Sequence, residues 1–216
     1  MKSTRRATVL IGDIVLSREL PNRLSSQIHL KALMSSLNTK FKKSILSKFT
    51  ITAGDEFEGV LNDFTSIPDL IWLIETTFVD APIRLGFGLG SISTEVSKSP
   101  LEMDGQAFHM AREALDQAVK LGVLGGMFRG FGEDDDLIFN GFSRLLQYHW
   151  SRLTDRQRDI LTHLRGGSSQ LQIATQLGVS ASAISQASRK SGWQAFSEAE
   201  EGFRAALRAR TRRTTK

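Results

Sequence analysis

The sequence predicts an α+β fold, in which an antiparallel sheet with helices is followed by an all-α helix-turn-helix domain. The first observation is the order of elements, which alternates between strand and helix patterns before short helices alone follow. The second is charge: from Arg152 onward the chain has twelve Lys and Arg against five Asp and Glu, a net of +7, whereas residues 1–151 have a net of −2. We therefore expect an α+β domain at 1–136, a connecting helix at 137–152 and a helix-turn-helix domain with a basic tail at 153–216.

The composition is that of a soluble globular protein. Of the 216 residues, 40% are hydrophobic and 24% are charged, and none is cysteine, which excludes disulfides and thiolate metal sites. No apolar run approaches the roughly 20 residues that span a bilayer. The start, "MKSTRRATVLIGDIV", is basic and then apolar, but it has no small-residue cleavage site and contains Asp13 after a few apolar residues. We expect a cytoplasmic protein without a membrane partner.

The first part of the chain predicts a strand, a helix and a hairpin. "ATVLIGDIV" is rich in β-branched residues and predicts a buried strand. Apolar residues at steps of three to five between Leu24 and Ile45 predict one long amphipathic helix. "SKFTITAGDEFEGVL" predicts two strands joined at Ala53-Gly54.

Three further elements complete the predicted sheet domain. Ser66 and Pro68 begin a helix, "APIRLGFGLGSIST" predicts a strand, and "MDGQAFHMAREALDQAVKLG" predicts a helix that ends at Gly122. We expect the helices to cover one face of the sheet. The glycine-rich and acidic segment "GMFRGFGEDDDLIFNG" predicts a turn-rich connection.

Glycine stands at every second position of the last predicted strand. Because strand side chains alternate between faces, Gly86, Gly88 and Gly90 clear one face, so that another group can approach the backbone closely. We expect a phosphate-bearing ligand beside these glycines.

Two acids, Asp55 and Glu56, interrupt the apolar hairpin at its turn. Acids are poor strand formers and costly to bury unpaired. Asp13 stands at the end of another apolar strand, so neighbouring strand ends would join the three acids in one all-oxygen cluster. Such a cluster suits Mg²⁺ bound together with phosphate oxygens. The alternative is ordinary turn chemistry, in which the acids cap backbone groups or face water.

These motifs together resemble the SatD family of bacterial proteins. The resemblance rests on "IGDIVLSREL", "FTITAGDEFEGVL", "IRLGFGLGSIST" and "GQAFHMAREAL", which occur in the family's order, and it runs from about Ala7 to Trp193. It implies an N-terminal part similar to the class III nucleotidyl cyclase and GGDEF fold, which is a palm-like, ferredoxin-like sheet.

The resemblance also implies a metal and nucleotide site. In the cyclases an Asp-Ile at the end of the first strand and a Gly-Asp at a hairpin bind the metals. The matching positions here are Asp13, the carbonyl of Ile14 and Asp55, and the expected ion is Mg²⁺ or Mn²⁺. A later cyclase helix provides an Asn and an Arg for the nucleotide, and this chain offers His109 and Arg112 there.

The chain departs from the cyclase pattern in several places. His109 replaces the Asn, Arg112 falls one residue early, Ala53 replaces the first glycine of GGDEF, and no lysine stands just before Gly54. We therefore expect a nucleotide- or phosphate-binding relative of the cyclases. The alternative is a metal-dependent nucleotidyl cyclase or a related phosphoryl-transfer enzyme, with Arg112 as its catalytic residue.

His109 and Arg112 also have a structural interpretation. They lie one turn apart on a predicted helix, so they form a polar face in which Arg112 pairs with Glu113 or Asp116 in solvent.

The basic part of the chain predicts three short helices. Thr154 or Asp155 caps the first helix, Ser169 caps the second, and the third begins at Ser180. Gly178 supplies the sharp turn between the last two. The segment resembles the helix-turn-helix of sigma-factor fourth regions and LuxR-type regulators, in which the last helix lies in the major groove of DNA.

The resemblance gives the third helix a DNA-reading face. Its outward positions are Ser182, Ser185, Gln186 and Arg189, of which Gln suits adenine and Arg suits guanine. Neighbouring cations would contact phosphates; these are Arg152, Arg156, Arg165, Lys190 and those of the tail "RARTRRTTK", expected to fray. The alternative is a three-helix module that binds a protein.

The last helical segment carries an apolar stripe of Trp193, Phe196, Phe203 and Leu207, which we expect to pack against the three-helix module or to form a dimer seam. The expected partners are double-stranded DNA, a nucleotide ligand and a second copy of the chain, because helix-turn-helix proteins commonly bind two half-sites.

Overall fold

The computed structural model describes residues 5–52 and 54–214. Within these residues the chain forms five β-strands and eight α-helices, so the predicted α+β class is confirmed. The strands are β1 (Arg6–Ile14), β2 (Ile45–Ile51), β3 (Glu56–Leu61), β4 (Ile83–Ser91) and β5 (Gly125–Arg129). The helices are α1 (Arg23–Lys40), α2 (Ile67–Thr77), α3 (Gln106–Leu121), α4 (Glu133–Ser151), α5 (Asp155–Arg165), α6 (Gln170–Leu177), α7 (Ala181–Lys190) and α8 (Trp193–Thr214).

The strands form one sheet in the order β2-β3-β1-β4-β5. The strand β1 pairs antiparallel with both β3 and β4, and β2 pairs antiparallel with β3. This central position follows from its sequence, since the consecutive residues Val9 and Leu10 point to opposite faces and both are fully buried. The predicted hairpin of β2 and β3 is present, although Ala53 in its turn lies outside the described residues.

The predicted turn-rich connection is wrong for Gly125–Arg129, which forms β5 and pairs in parallel with β4. The ring of Phe128 stacks on that of Phe87, with centroids 4.8 Å apart. A Cβ at Gly126 would lie 2.8 Å from the Phe87 ring, so this glycine leaves room for a core side chain. In this segment glycine therefore serves core packing within a strand and does not mark a turn.

Helices cover both faces of the sheet, so the expectation of a single covered face is also wrong. On one face, Leu10 packs in the main core with Leu33 of α1 and Leu70 of α2. On the other face, Val9 packs with Ala111 of α3. The alternation of side chains along β1 therefore sends neighbouring residues into two cores.

The helices α5, α6 and α7 form a compact three-helix module around a small apolar cluster that includes Ile160, Ile173, Ala174 and Ile184. Capping boxes begin its first two helices at Thr154 and Ser169, and Ser180 accepts a hydrogen bond from the backbone N–H of Ala183. These caps confirm the three predicted helix starts.

The long helix α8 connects the module to the sheet. Phe196 packs with Trp150 and Leu161 next to the module, but Phe203 and Leu207 belong to the main core beneath the sheet. Phe196, Phe203 and Leu207 of the expected stripe are therefore buried, Trp193 is half-buried, and half of the stripe packs against the sheet domain instead of the module. The connecting helix, predicted at 137–152, begins four residues earlier as α4.

The basic tail is helical as far as Thr214, so the expected fraying is wrong for these residues. Arg213 donates to Asp135 at 2.7 Å, and Nε of Arg210 donates to the carbonyl of Phe131 at 2.6 Å. Among the described residues, no helix combines the length and hydrophobicity needed to cross a bilayer.

Candidate nucleic-acid interface and acidic cluster

Asp13 lies in a row of charged residues across three strands. Antiparallel pairing places it opposite Glu56 of β3 on one side and opposite Arg84 of β4 on the other. Residues directly opposite each other point to the same face of a sheet. The guanidinium of Arg84 is 3.8 Å from the Asp13 carboxylate. This face is the one that α3 covers, since Ile11, two residues before Asp13, packs in that core.

Asp55 lies in the turn beside this row. Gly54 before it has a φ of +63°, a left-handed conformation that glycine adopts without strain. The hydroxyl of Ser17, just beyond β1, donates a hydrogen bond to the Asp55 carboxylate. The turn of the hairpin and the end of β1 are therefore held together.

The carboxyl of Asp13 lies within electrostatic range of the carboxylates of Asp55 and Glu56. Burial raises this pKa above its ordinary value, and the neighbouring carboxylates of Asp55 and Glu56 raise it further. Arg84 and Arg112 oppose this effect. The end of β1 and the hairpin turn therefore bring the three acids near one another in the fold.

Arg112 binds Glu56 through two parallel hydrogen bonds of 2.9 and 2.8 Å. Arg112 therefore pairs with Glu56 and not with Glu113 or Asp116, the alternative that the sequence left open. Glu113 binds Arg129 instead, at 2.5 Å. His109, one turn earlier on α3, is exposed and lies 3.9 Å from the carboxylate of Asp104. The helix therefore presents Arg112 to the acidic cluster and His109 to a different region.

The metal site expected at these acids stays a prediction. Among the described residues, no group of three or more His, Asp or Glu side chains is arranged to hold a metal ion. Glu56 is already neutralised by Arg112, which leaves Asp13, Asp55 and the backbone carbonyl of Ile14. Two carboxylates are what Mg²⁺ commonly takes from a protein when waters and phosphate oxygens complete its shell.

The glycines of β4 face α3 and not a ligand cleft. A Cβ at Gly86 would lie 2.2 Å from the carbonyl oxygen of Ala111, one at Gly88 2.1 Å from its nitrogen, and one at Gly90 2.6 Å from the nitrogen of Ala107. The close backbone approach expected from the sequence is therefore made by a helix of the same chain. The three glycines are buried, and α3 fills the space where a phosphate was expected.

In the three-helix module, α6 ends at Gly178, whose φ of +65° makes the sharp turn into α7. Ile184 is buried and anchors α7 in the module. The opposite face of α7 carries the exposed residues Ser182, Gln186, Arg189 and Lys190, together with the half-buried Ser185. Arg189 donates to the Ser185 hydroxyl at 3.2 Å, which orients its side chain along the helix.

Three of the arginines expected at phosphates are engaged elsewhere, since Arg210 and Arg213 bind Asp135 and Arg165 lies in a second cluster. Arg165, at the end of α5, binds Glu200 of α8 at 2.5 Å and Asp69 of α2 at 2.8 Å. Its guanidinium lies 4.5 Å from the ring centroid of Trp72. Arg204 completes the cluster with bonds to Asp69 and Glu200. Sequence reasoning missed this joint between module and sheet domain, because its members are up to 135 positions apart.

Comparison with known proteins gives one clear match. The model described as the SatD family matches residues 8–200 of the chain. A search of curated proteins found no match. The crystal structure of a regulator of polyketide synthase expression from Bifidobacterium adolescentis aligns over 98% of this chain and 87% of that chain, with 16% identity and a TM-score of 0.29. That score is too low to support an argument.

Proposed function

The chain belongs to the SatD family, and we propose that it is a DNA-binding, transcription-regulatory protein whose sheet domain senses a nucleotide or phosphate ligand. The observation that carries the proposal is the outer face of α7. Gln186, Arg189 and Lys190 are exposed on a helix that is anchored from behind by Ile184. An exposed helix after a glycine turn is what enters the major groove in helix-turn-helix proteins.

The chemistry of α7 and its neighbours supports duplex DNA as the partner. Gln bonds adenine and Arg bonds guanine in bidentate fashion, whereas Ser182 and Ser185 bond either base. In this proposal the exposed Lys190 and Arg156 contact phosphates. The net charge of +7 from Arg152 onward favours a polyanion over a neutral protein surface. Two copies of the chain would bind two half-sites.

The sheet supports the palm-like assignment. The antiparallel strands occur in the order β2-β3-β1-β4, and the connections through α1 and α2 give the β-α-β-β-α-β sequence of a ferredoxin-like unit. The cores of α1 and α2 lie on the same face of the sheet. In this proposal the ends of β1 and β3 form the sensing site, with the module as a separate DNA-binding domain.

The ligand site is proposed at Asp13, the carbonyl of Ile14 and Asp55, with Mg²⁺ or Mn²⁺ bridging to phosphate oxygens. Burial and the neighbouring carboxylates of Asp55 and Glu56 raise the pKa of Asp13, and such an ion would relieve the repulsion among these acids. Arg112 and Arg84 lie beside these acids as cations for the same phosphates. The test measures the melting temperature with and without Mn²⁺ and a nucleoside triphosphate. The ligands should raise the melting temperature of the wild type but not that of Asp13→Asn. An equal upshift in both proteins would contradict the site.

The second candidate is a nucleotidyl cyclase or a related phosphoryl-transfer enzyme, favoured by the convergence of the acids with Arg112. The missing lysine before Gly54 and the engagement of Arg112 by Glu56 argue against it. Incubation with each nucleoside triphosphate and Mn²⁺ decides between the two. Turnover that Asp55→Asn abolishes would establish the enzyme, and its absence would leave the sensor.

The DNA proposal is tested with full-length protein on a duplex enriched from a randomised library. We expect affinity to fall about tenfold or more between roughly 50 and 200 mM salt, because phosphate contacts release counterions. Arg189→Glu should lose binding by at least about tenfold, since it places a negative charge in the groove. Lys31→Glu on α1 is the matched control and should bind normally. Equal binding by Arg189→Glu and the control would overturn the proposal.

A further inference from the structure

The helix α4 has an apolar stripe that the described residues of the chain leave exposed. Leu137, Leu145 and Tyr148 are 74%, 67% and 65% exposed. At 3.6 residues per turn they lie on one side of the helix, together with Gly141. The opposite side packs inward through Phe139, which is fully buried. Monomeric proteins rarely leave so regular an apolar row on a helix.

Gly141 lies in the middle of this stripe, and open space surrounds it in the described part of the chain. A Cβ built on it meets nothing within 4 Å among the described residues. Glycine in a helix interior is less stable than alanine, so its presence calls for a reason outside the chain. A helix from another molecule can approach most closely where a glycine interrupts a row of large side chains.

The two ends of the stripe carry opposite charges. Asp134 lies in the first turn of α4, and Arg152 follows its last residue. Both are exposed, and neither has an ion-pair partner in the part of the chain that the structure describes. Arg152 instead lies 5.9 Å from the ring centroid of Tyr148. The charges of the stripe are therefore available to a partner.

The order of residues makes the stripe complementary to itself. Counted from Ser143, Asp134 and Arg152 stand nine positions away on opposite sides, and Gly141 and Leu145 stand two positions away. Leu137 stands six positions before Ser143, and Tyr148 stands five positions after it. In an antiparallel pair of α4 helices centred at this level, each acid faces a base, Leu145 lies over Gly141, and Leu137 contacts Tyr148.

We propose that α4 is the surface through which two copies of this chain form a two-fold symmetric dimer. A two-fold interface uses the same patch on both subunits, so the patch must be complementary to itself. The order of residues along this stripe meets that requirement. The neighbouring groove extends the surface, because Val123 and Leu124 line it beside Leu145 and Tyr148. The inference goes beyond DNA binding and does not rest on it.

The dimer has a consequence for the helix-turn-helix module. The helix α5 begins four residues after α4 ends, so pairing through α4 fixes the positions of the two modules relative to each other. The distance between the two α7 helices, and with it the spacing of two half-sites, would follow from this contact.

The first test is sedimentation of the full chain, without DNA, over a range of concentrations. The wild type should dimerise. Gly141→Leu should remain folded, since the structure has open space there, and should lose the dimer because the helices can no longer approach. Leu145→Glu should also lose it. Leu101→Glu, a change at a leucine that is 59% exposed outside the stripe, is the matched control and should keep the dimer.

The second test uses the charged ends. Asp134→Arg and Arg152→Asp should each weaken dimerisation by at least about tenfold, because each change places like charges at both ends of the symmetric pair. The double variant should regain most of the wild-type affinity. This rescue separates a direct contact from a change in folding.

A wild type that stays monomeric throughout would overturn the proposal. So would a dimer that survives Gly141→Leu and Leu145→Glu alike, which would place the contact on another surface. A double charge variant no tighter than the single variants would equally contradict the antiparallel pairing.

Discussion

Arg112 of α3 binds Glu56 of β3 through two hydrogen bonds of 2.9 and 2.8 Å, across 56 positions of the chain. The pair connects the hairpin turn to the helix that covers β4. It is flanked by Asp13, whose carboxyl pKa is raised by burial and by the neighbouring acids. Glu56 and Asp13 therefore have arginines of the chain as their first counter-charges, and a bound cation would act in addition to them.

Arg112→Ala should lower the free energy of unfolding by about 1 kcal/mol, because it leaves the half-buried Glu56 without its partner in a partly exposed pair. Urea denaturation measures the change. Adding Glu56→Gln to Arg112→Ala should restore part of the loss, since the unpaired charge is removed. If the two residues do not interact, the loss of stability in the double variant will equal the sum of the losses in Arg112→Ala and Glu56→Gln. That result would contradict the pairing.

Gly88→Ala should destabilise the fold strongly, by about 3 kcal/mol or more, because the added methyl carbon would lie 2.1 Å from a backbone nitrogen of α3 and neither element can move freely. Lys31→Ala, at an exposed position of α1, is the contrasting variant, and its melting temperature should change little. Equal melting temperatures for the two variants would refute the close contact of α3 with β4.

Stability should fall as the pH rises from about 4.5 to about 7. Burial raises the pKa of the Glu75 carboxyl from 4.5 to about 7 in the folded protein, opposed by Arg158. Within this window the folded protein holds a proton that the unfolded chain has lost, so rising pH favours unfolding, by up to about 3 kcal/mol in total.

The variant Glu75→Gln should reduce this pH dependence, because it removes the titrating group that contributes most. Asp13, Glu58 and Asp136 also have raised pKa values, so a smaller slope of the same sign should remain. Urea denaturation at several pH values measures both slopes. The exposed Glu19→Gln is the control and should leave the slope unchanged; a slope in Glu75→Gln as steep as in the control would contradict the assignment.

Arg204→Ala should destabilise the protein by about 2 kcal/mol, because it leaves Arg165 alone to neutralise Asp69 and the buried Glu200. Arg208→Ala, at a half-exposed arginine 3.8 Å from Glu201, should change stability by less than about 1 kcal/mol. Thermal unfolding of both variants provides the comparison. A loss no larger for Arg204→Ala than for Arg208→Ala would show that the joint between α2 and α8 adds little.

Local signals in the sequence predicted the three-helix module well. Ser169 and Ser180 cap α6 and α7, and Gly178 makes the turn between these helices, as predicted. Such features are predictable because capping and turn formation depend on residues within one helical turn. The strand β1 was also predicted correctly. A short run that is apolar on both faces and rich in β-branched residues is typical of a buried strand.

Long-range contacts were beyond the sequence. The glycines of β4 indicated a close approach, but the same pattern fits a ligand or a helix, and only the fold shows that α3 makes it. In the same way, Arg165 looked like a phosphate contact until its partners on α2 and α8 were known. A charged residue's role depends on which faces pack together, and that information is distributed over the whole chain.

The most direct test of the central claim is a selection of duplexes from a randomised library by the wild type and by Gln186→Ala. If α7 reads bases, the wild type should enrich a defined sequence, and the variant should lose preference at one position, where discrimination falls by roughly tenfold or more. A wild type that enriches no sequence, or a variant with the same preference at every position, would contradict the claim.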